Sequence, residues 1–149
     1  MTKNRSFYNP ELMSRLDATQ VGRIGEHLVT SMVAGYGYNV HHADGNGYDI
    51  LAMIPKTRGK VIRIDVKTRK SAEGSRQFSI RKGKTTAFRE YESDKCDLFA
   101  LVCLEDQSVT FKACSDYEGK NFIYLNAQSH KNTDPYEAWT GVLEALDIG

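Results

Sequence analysis

Residues 61–70 read VIRIDVKTRK, and the rest of the chain is best read outward from them. Apolar and polar side chains alternate from Val61 to Thr68, the period-two pattern of a strand with one buried face. Ile62, Ile64 and Val66 take one side, and Arg63, Asp65 and Lys67 take the other. Upstream, residues 47–54 read GYDILAMI, so Tyr48–Ile54 is a second strand, closed by Pro55. Lys56–Lys60, with Gly59, is a hairpin-type turn between the two. Pairing these strands brings Asp49 towards Asp65, with fifteen residues between them in sequence.

Two carboxylates at one point repel each other and favour protonation of one, unless a divalent cation neutralises them. Their oxygens suit hard ions such as Mg²⁺. Lys67, on the same face as Asp65, can orient a water and stabilise charge developing on a phosphate. The same pattern also fits a polar sheet face turned to water, so by itself it leaves both readings open.

The flanking elements predict a mixed α/β layer fold. Asp17 or Thr19 caps a helix from about Asp17 to Ala34, with Val21, Ile24, Leu28 and Met32 as its buried stripe. Gly35 and Gly37 stop it, and Glu26 falls at the stripe's edge beside Val29 and Val33. Further strands are predicted at Tyr38–Ala43, Gln77–Ile80, Val109–Cys114 and Asn121–Leu125, and a helix at Lys84–Glu92. The near-continuous apolar run Leu98–Leu104 reads as a central strand buried on both faces. Asp134-Pro135 opens a last helix, about 134–147, that buries Trp139, Val142, Leu143 and Leu146.

The chain has 149 residues, 40% hydrophobic and 26% charged, which fits a single domain over residues 1–149. No apolar run approaches a membrane span and no signal-peptide core opens the sequence, so the expected setting is cytoplasmic, with no membrane. Cys96, Cys103 and Cys114 are odd in number and form no CxxC pair. A disulfide scaffold and a structural zinc site are therefore not expected, and Cys103 reads as a buried thiol. The four histidines offer no zinc-ligand spacing, and Phe78, Phe88 and Phe99 read as core. Net charge is +1, but residues 56–95 carry 13 Lys/Arg against 5 Asp/Glu, the footprint of a polyanion partner. Arg69, Lys70, Arg76, Arg81, Lys82, Lys84 and Arg89 are the candidate phosphate contacts. Gly45 and Asn46 lie in a Gly-rich loop that either approaches a nucleic-acid backbone or simply makes a turn.

The segments VGRIGEHLV (21–29), GYDILAM and VIRIDVKTRK, in that order, resemble the PD-(D/E)XK nuclease superfamily. CDLFALVCLEDQSVTF (96–111) resembles the strand pair that follows in its small members. The likeness is strongest to small intron-encoded homing endonucleases, with archaeal Holliday-junction resolvases second, and it spans about residues 20–115. It implies a restriction-endonuclease-like core with a mixed β-sheet flanked by helices. It implies that Asp49 and Asp65, with the Val66 carbonyl, bind Mg²⁺ or Mn²⁺, that Lys67 positions or activates the attacking water, and that Glu26 serves a second metal or its waters. Tyr48 stands where the family name has Pro, and Asp65 is one methylene shorter than the commoner Glu. The implied function is a divalent-metal-dependent DNA endonuclease, site-specific, acting on double-stranded or branched DNA. A Holliday-junction resolvase and a non-catalytic DNA-binding module on the same fold are the alternatives. Cutting both strands calls for two sites, hence a homodimer or homotetramer.

Overall fold

A computed structural model of the chain describes residues 8–43, 47–80 and 96–148. Among these residues the strands are β1 Asn39–His42, β2 Ile50–Met53, β3 Val61–Arg69, β4 Arg76–Ser79, β5 Leu98–Cys103, β6 Ser108–Ala113 and β7 Phe122–Leu125. The helices are α1 Pro10–Met13, α2 Ala18–Gly35, α3 Ala127–Asn132 and α4 Pro135–Ala145. The main sheet has the order β1-β2-β3-β5-β6, and β4 and β7 form a separate two-stranded ribbon. β1, β2 and β3 are antiparallel neighbours, β5 runs parallel to β3, and β6 returns antiparallel to β5. The expected mixed sheet flanked by helices is therefore the fold observed. The helix predicted at Lys84–Glu92 lies outside the described residues.

Register follows from the hydrophobic pattern. Ile62, Ile64 and Val66 of β3 are buried with Leu98, Ala100 and Val102 of β5 under α2 and α4. β5 is buried along its whole length, as its unbroken apolar run predicts. α4 contributes Trp139 and Leu143 to this face. Trp139 is ringed by Tyr38, Phe111 and Tyr36, with centroids at 5.2, 5.1 and 5.9 Å.

α2 opens on a reciprocal cap: the Asp17 carboxylate accepts from the Gln20 N–H at 2.8 Å, and the Gln20 amide oxygen accepts from the Asp17 N–H at 2.9 Å. Its fully buried line is Val21, Gly25, Val29 and Val33. That is rotated from the predicted stripe, whose Ile24, Leu28 and Met32 are only partly buried. The reason is Gly25. A Cβ there would lie 1.8 Å from Thr68 Oγ1 and 2.8 Å from Thr68 Cβ. The bare glycine lets the helix backbone rest directly on β3, and Glu26 follows it at the sheet's margin.

The opposite face is covered by the ribbon. Phe78, Ile80 and Ile123 pack on Phe99 and Leu101 of β5. Cys96 and Cys114 lie in the same cluster and form a disulfide, which corrects the expectation of a chain without bridges. They flank the β5–β6 hairpin, and the pairing of Leu98 with Ala113 is what brings them together. Cys103 is a buried free thiol, as expected. α3 was not foreseen; Asn126 caps it by accepting from the Ser129 N–H at 3.0 Å.

Arg76, expected to face DNA, is a second correction. It is 2% exposed. Its guanidinium donates to Asp106 and, at 2.8 Å, to His130 Nδ1. His130 in turn donates from Nε2 to the Leu101 carbonyl at 2.9 Å, which ties β4 and α3 to β5. Alternation in β4 puts Arg76 on the same inward face as Phe78, so its charge must be met inside the protein. Burial alone would raise the Asp106 pKa, but hydrogen bonds from Ser108 and Arg76 outweigh it and hold the carboxyl at about 2.

Gly25→Ala is expected to lower the unfolding free energy by about 3 kcal/mol in urea titrations. Adding Thr68→Gly should cost less than the two single changes summed. Asp106→Ala should cost about 3 kcal/mol at neutral pH by stranding Arg76. Because the folded-state pKa lies below the unfolded one, that contribution is complete above roughly pH 4 and disappears as pH falls through about 2. Chemical unfolding of both proteins across this range should show the gap closing.

Candidate active site

β2 begins at Ile50, paired with Ile64. One step further the ladder would place Asp49 opposite Asp65 on the same face. The Asp49 N–H still donates to the Ile64 carbonyl at 2.8 Å, and its side chain takes over the next position. Asp49 Oδ2 accepts from the Val66 N–H at 2.7 Å. The carboxylate thus substitutes for a strand partner and is held against β3.

Asp65 is 3% exposed, and its negative charge acts on Asp49. Lys67, on the same face, reaches back so that its Nζ lies 3.4 Å from Asp65 Oδ1. Burial, then the negative charge of Asp65, push the Asp49 pKa up to about 7, against the opposing pull of the Val66 N–H. Glu26 adds to the rise from the helix layer, which places its charge within reach of Asp49. The structure therefore brings together Asp49, Asp65, Val66 and Lys67, with Glu26 at the margin.

The donor set fits a hard divalent cation. It offers buried, mutually repelling carboxylate oxygens and no sulfur or imidazole. Among the described residues no group of three or more His, Cys, Asp or Glu side chains is placed to hold a metal ion, so Glu26 does not join Asp49 and Asp65 in one cluster. Mg²⁺ does not require such a group, since it commonly takes one or two carboxylates and fills its other positions with water and phosphate. Asp49 and Asp65 supply that number.

The expected DNA contacts divide three ways. Arg69 spends three donors on its own loop, bonding the carbonyls of Ser71 at 2.8 Å, Ser75 at 2.8 Å and Glu73 at 3.1 Å. Lys70 donates to the Leu16 carbonyl at 3.2 Å. Both shape the turn after β3, and both are partly exposed, whereas Arg76 is sealed in the interior. Arg81, Lys82, Lys84 and Arg89, like Gly45 and Asn46, lie outside the described residues. Gly25 was missed as a positioning residue; a glycine inside a helical pattern, directly before Glu26, was the signal.

No family model and no curated protein matches the sequence. Solved structures do. A bacterial homing endonuclease superposes with a TM-score of 0.67 at 15% identity, over 89% of this chain and 97% of that one. A Holliday junction resolvase from the archaeal hyperthermophile Archaeoglobus fulgidus gives a TM-score of 0.49 at 14% identity, over 86% and 97%. The first match shows that the fold is shared with a nuclease, and the resemblance to PD-(D/E)XK nucleases read in the sequence holds at the level of fold.

Asp49→Asn is expected to stabilise the metal-free protein. An amide can accept from the Val66 N–H and donate to Asp65 without a second negative charge. The folded-state pKa of Asp49 lies above its unfolded value, so its charge weighs against folding increasingly from about pH 4 to about pH 7 and constantly above that. Melting in EDTA at pH 8 should place the midpoint of the Asp49→Asn variant higher by roughly 3 °C, with the gap closing towards pH 4. An equal or lower midpoint at pH 8 would contradict the account.

Proposed function

We propose that this chain is a divalent-metal-dependent DNA endonuclease that hydrolyses phosphodiester bonds at a preferred duplex sequence. The observation that carries the reading is the Asp49–Asp65 carboxylate pair with Lys67 Nζ 3.4 Å from Asp65. The pair sits in a fold shared with a bacterial homing endonuclease. The basic middle third of the chain supplies the matching charge for a polyanion.

Asp49 and Asp65, with the Val66 carbonyl, would hold Mg²⁺ or Mn²⁺. Such an ion, when bound, supplies neutralising charge to the scissile phosphate and acidifies a water. The chain's own groups do the rest. Lys67 Nζ, 3.4 Å from Asp65 Oδ1, would hold the attacking water by hydrogen bond and steady charge growing on a non-bridging oxygen. Asp49 would hold the ion as a carboxylate, so binding is expected to strengthen as pH rises through about 7. Glu26 orients water on the helix side. Attack forms a P–O bond to the water, whose proton passes to solvent, and breaks the P–O bond to the sugar, whose leaving oxygen takes a proton from solvent. Cutting both strands requires a second copy of the site, so the working form is a symmetric homo-oligomer.

The test is cleavage of a plasmid pool carrying randomised duplex inserts, in Mg²⁺ and in Mn²⁺. Cut products should require the metal and vanish with EDTA. Lys67→Ala and Asp65→Asn should each lower the rate by roughly 10²-fold or more while the protein stays folded. No product with either metal, or cutting indifferent to Lys67→Ala, would refute the proposal.

A further inference from the structure

The turn between β2 and β3 carries Lys56, Arg58 and Lys60, all exposed. From Ile50 to Ile64 the chain holds these three cations and Arg63, and no carboxylate. The cations that follow are already engaged. Arg63 is paired with Asp97 and Lys67 with Asp65, Arg69 and Lys70 bond backbone carbonyls, and Arg76 is held by Asp106. Lys60 lines a cavity together with Asp97 and Asp147, so its charge is answered nearby. Among the described residues neither Lys56 nor Arg58 has an ion pair or a side-chain hydrogen bond.

The backbone adds a second observation. Lys56 has φ 61°, in the left-handed region that L side chains avoid and glycine enters freely. The turn enforces it: Thr57 Oγ1 donates to the Ile54 carbonyl at 2.7 Å, and the Ile54 N–H donates to the Lys60 carbonyl at 2.9 Å. The Lys56 side chain is exposed, so no packing inside the fold offsets that strain. Position supplies the use. Val61, Arg63, Asp65 and Lys67 alternate onto one face of β3. Val61, 40% exposed, pairs with Met53, 36% exposed, so that face is open from the site towards the hairpin. At about 3.3 Å per residue, Arg58 stands roughly 20 Å from Asp65 along β3. A duplex laid along β3 has phosphates at both places, about six base pairs apart at about 3.4 Å each.

We infer that the β2–β3 hairpin grips the phosphate backbone of duplex DNA through Lys56 and Arg58, about six base pairs from the bond that is cut. This deepens the DNA-cleaving reading and rests on it for the identity of the partner. Arg58 offers a planar fork of donors to two phosphate oxygens, and Lys56 offers a point charge. Neither contact reads bases. Together they fix the direction and register of the duplex over Asp49 and Asp65. The competing partner is the acidic surface of a second copy, since residues 96–149 hold 3 Lys/Arg against 9 Asp/Glu. Continuity with the carboxylate-bearing strand favours DNA.

The experiment measures binding of a random-sequence duplex across a salt series for the wild type, Lys56→Gly, Arg58→Gln and the double variant. Cutting of the plasmid pool in Mg²⁺ is followed alongside. Each change is expected to lower the slope of log K against log salt by about 0.9, and the double variant by about twice that. The loss should be uniform across sequences. Lys56→Gly should weaken binding while its melting midpoint holds or rises, because glycine relieves the turn. A role confined to the fold would move binding and melting together. On a duplex recovered as cut, ethylating the phosphate about six base pairs from the cut should inhibit the wild type and leave the double variant indifferent. If the wild type binds and cuts but the double variant keeps its slope, the hairpin assignment is overturned and the nuclease reading stands. If the wild type binds without cutting and the double variant loses slope, the nuclease reading falls and the phosphate contact stands. A wild type that binds no duplex at low salt overturns both. Dissociation of an oligomer in the double variant, with the slope unchanged, would make the hairpin a subunit contact and overturn the assignment.

Discussion

Asp49 and Asp65 face each other at the point where β2 gives out, and neither can withdraw. Asp49 is held by the Val66 N–H, and Asp65 is buried in the centre of the sheet. Two carboxylates so placed are a cost that the surrounding structure must absorb. The β2–β3 register sets them opposite one another, because a one-residue slip would turn Asp65 and Lys67 into the helix-covered face. The parallel partner β5, buried throughout, fixes β3 from its other edge. Gly25 lets α2 press on Thr68 and carries Glu26 to the margin of the pair. The proton that Asp49 retains to about pH 7 is the electrical sign of this crowding.

Seen this way, much of the positive charge is committed to architecture before any ligand arrives. Arg69 closes the turn after β3 on three carbonyls, Lys70 ties that turn to the chain ahead of α2, and Arg76 pins the ribbon through Asp106 and His130. Each holds in place an element that adjoins the carboxylates. A run of Lys and Arg in sequence reports total charge, whereas the fold decides which side chains remain for a phosphate.

The legible parts of the sequence were those governed by local periodicity. Alternation in Val61–Thr68 set the strand and the face of Asp65 and Lys67, and the unbroken run at Leu98 marked the central strand. Asp17 and Asp134 marked helix starts through capping chemistry. What stayed hidden depends on contacts distant in sequence. The helical stripe was displaced because a strand residue, Thr68, claims the space at Gly25. Arg76 looked like surface because its partners lie 30 and 54 residues away. Cys96 and Cys114 looked unpaired because only the β5–β6 hairpin joins them. The six residues of α3 carry too little periodicity to announce a helix.

The central claim is that Asp49 and Asp65 form one divalent-cation site. Titration of the folded protein with Mn²⁺, following the free-ion electron paramagnetic resonance signal, tests it without any DNA substrate. The account requires saturable Mn²⁺ binding in the wild type and its loss in a folded Asp65→Asn variant. A wild type that leaves the signal untouched, or binding that survives Asp65→Asn unchanged, would contradict it.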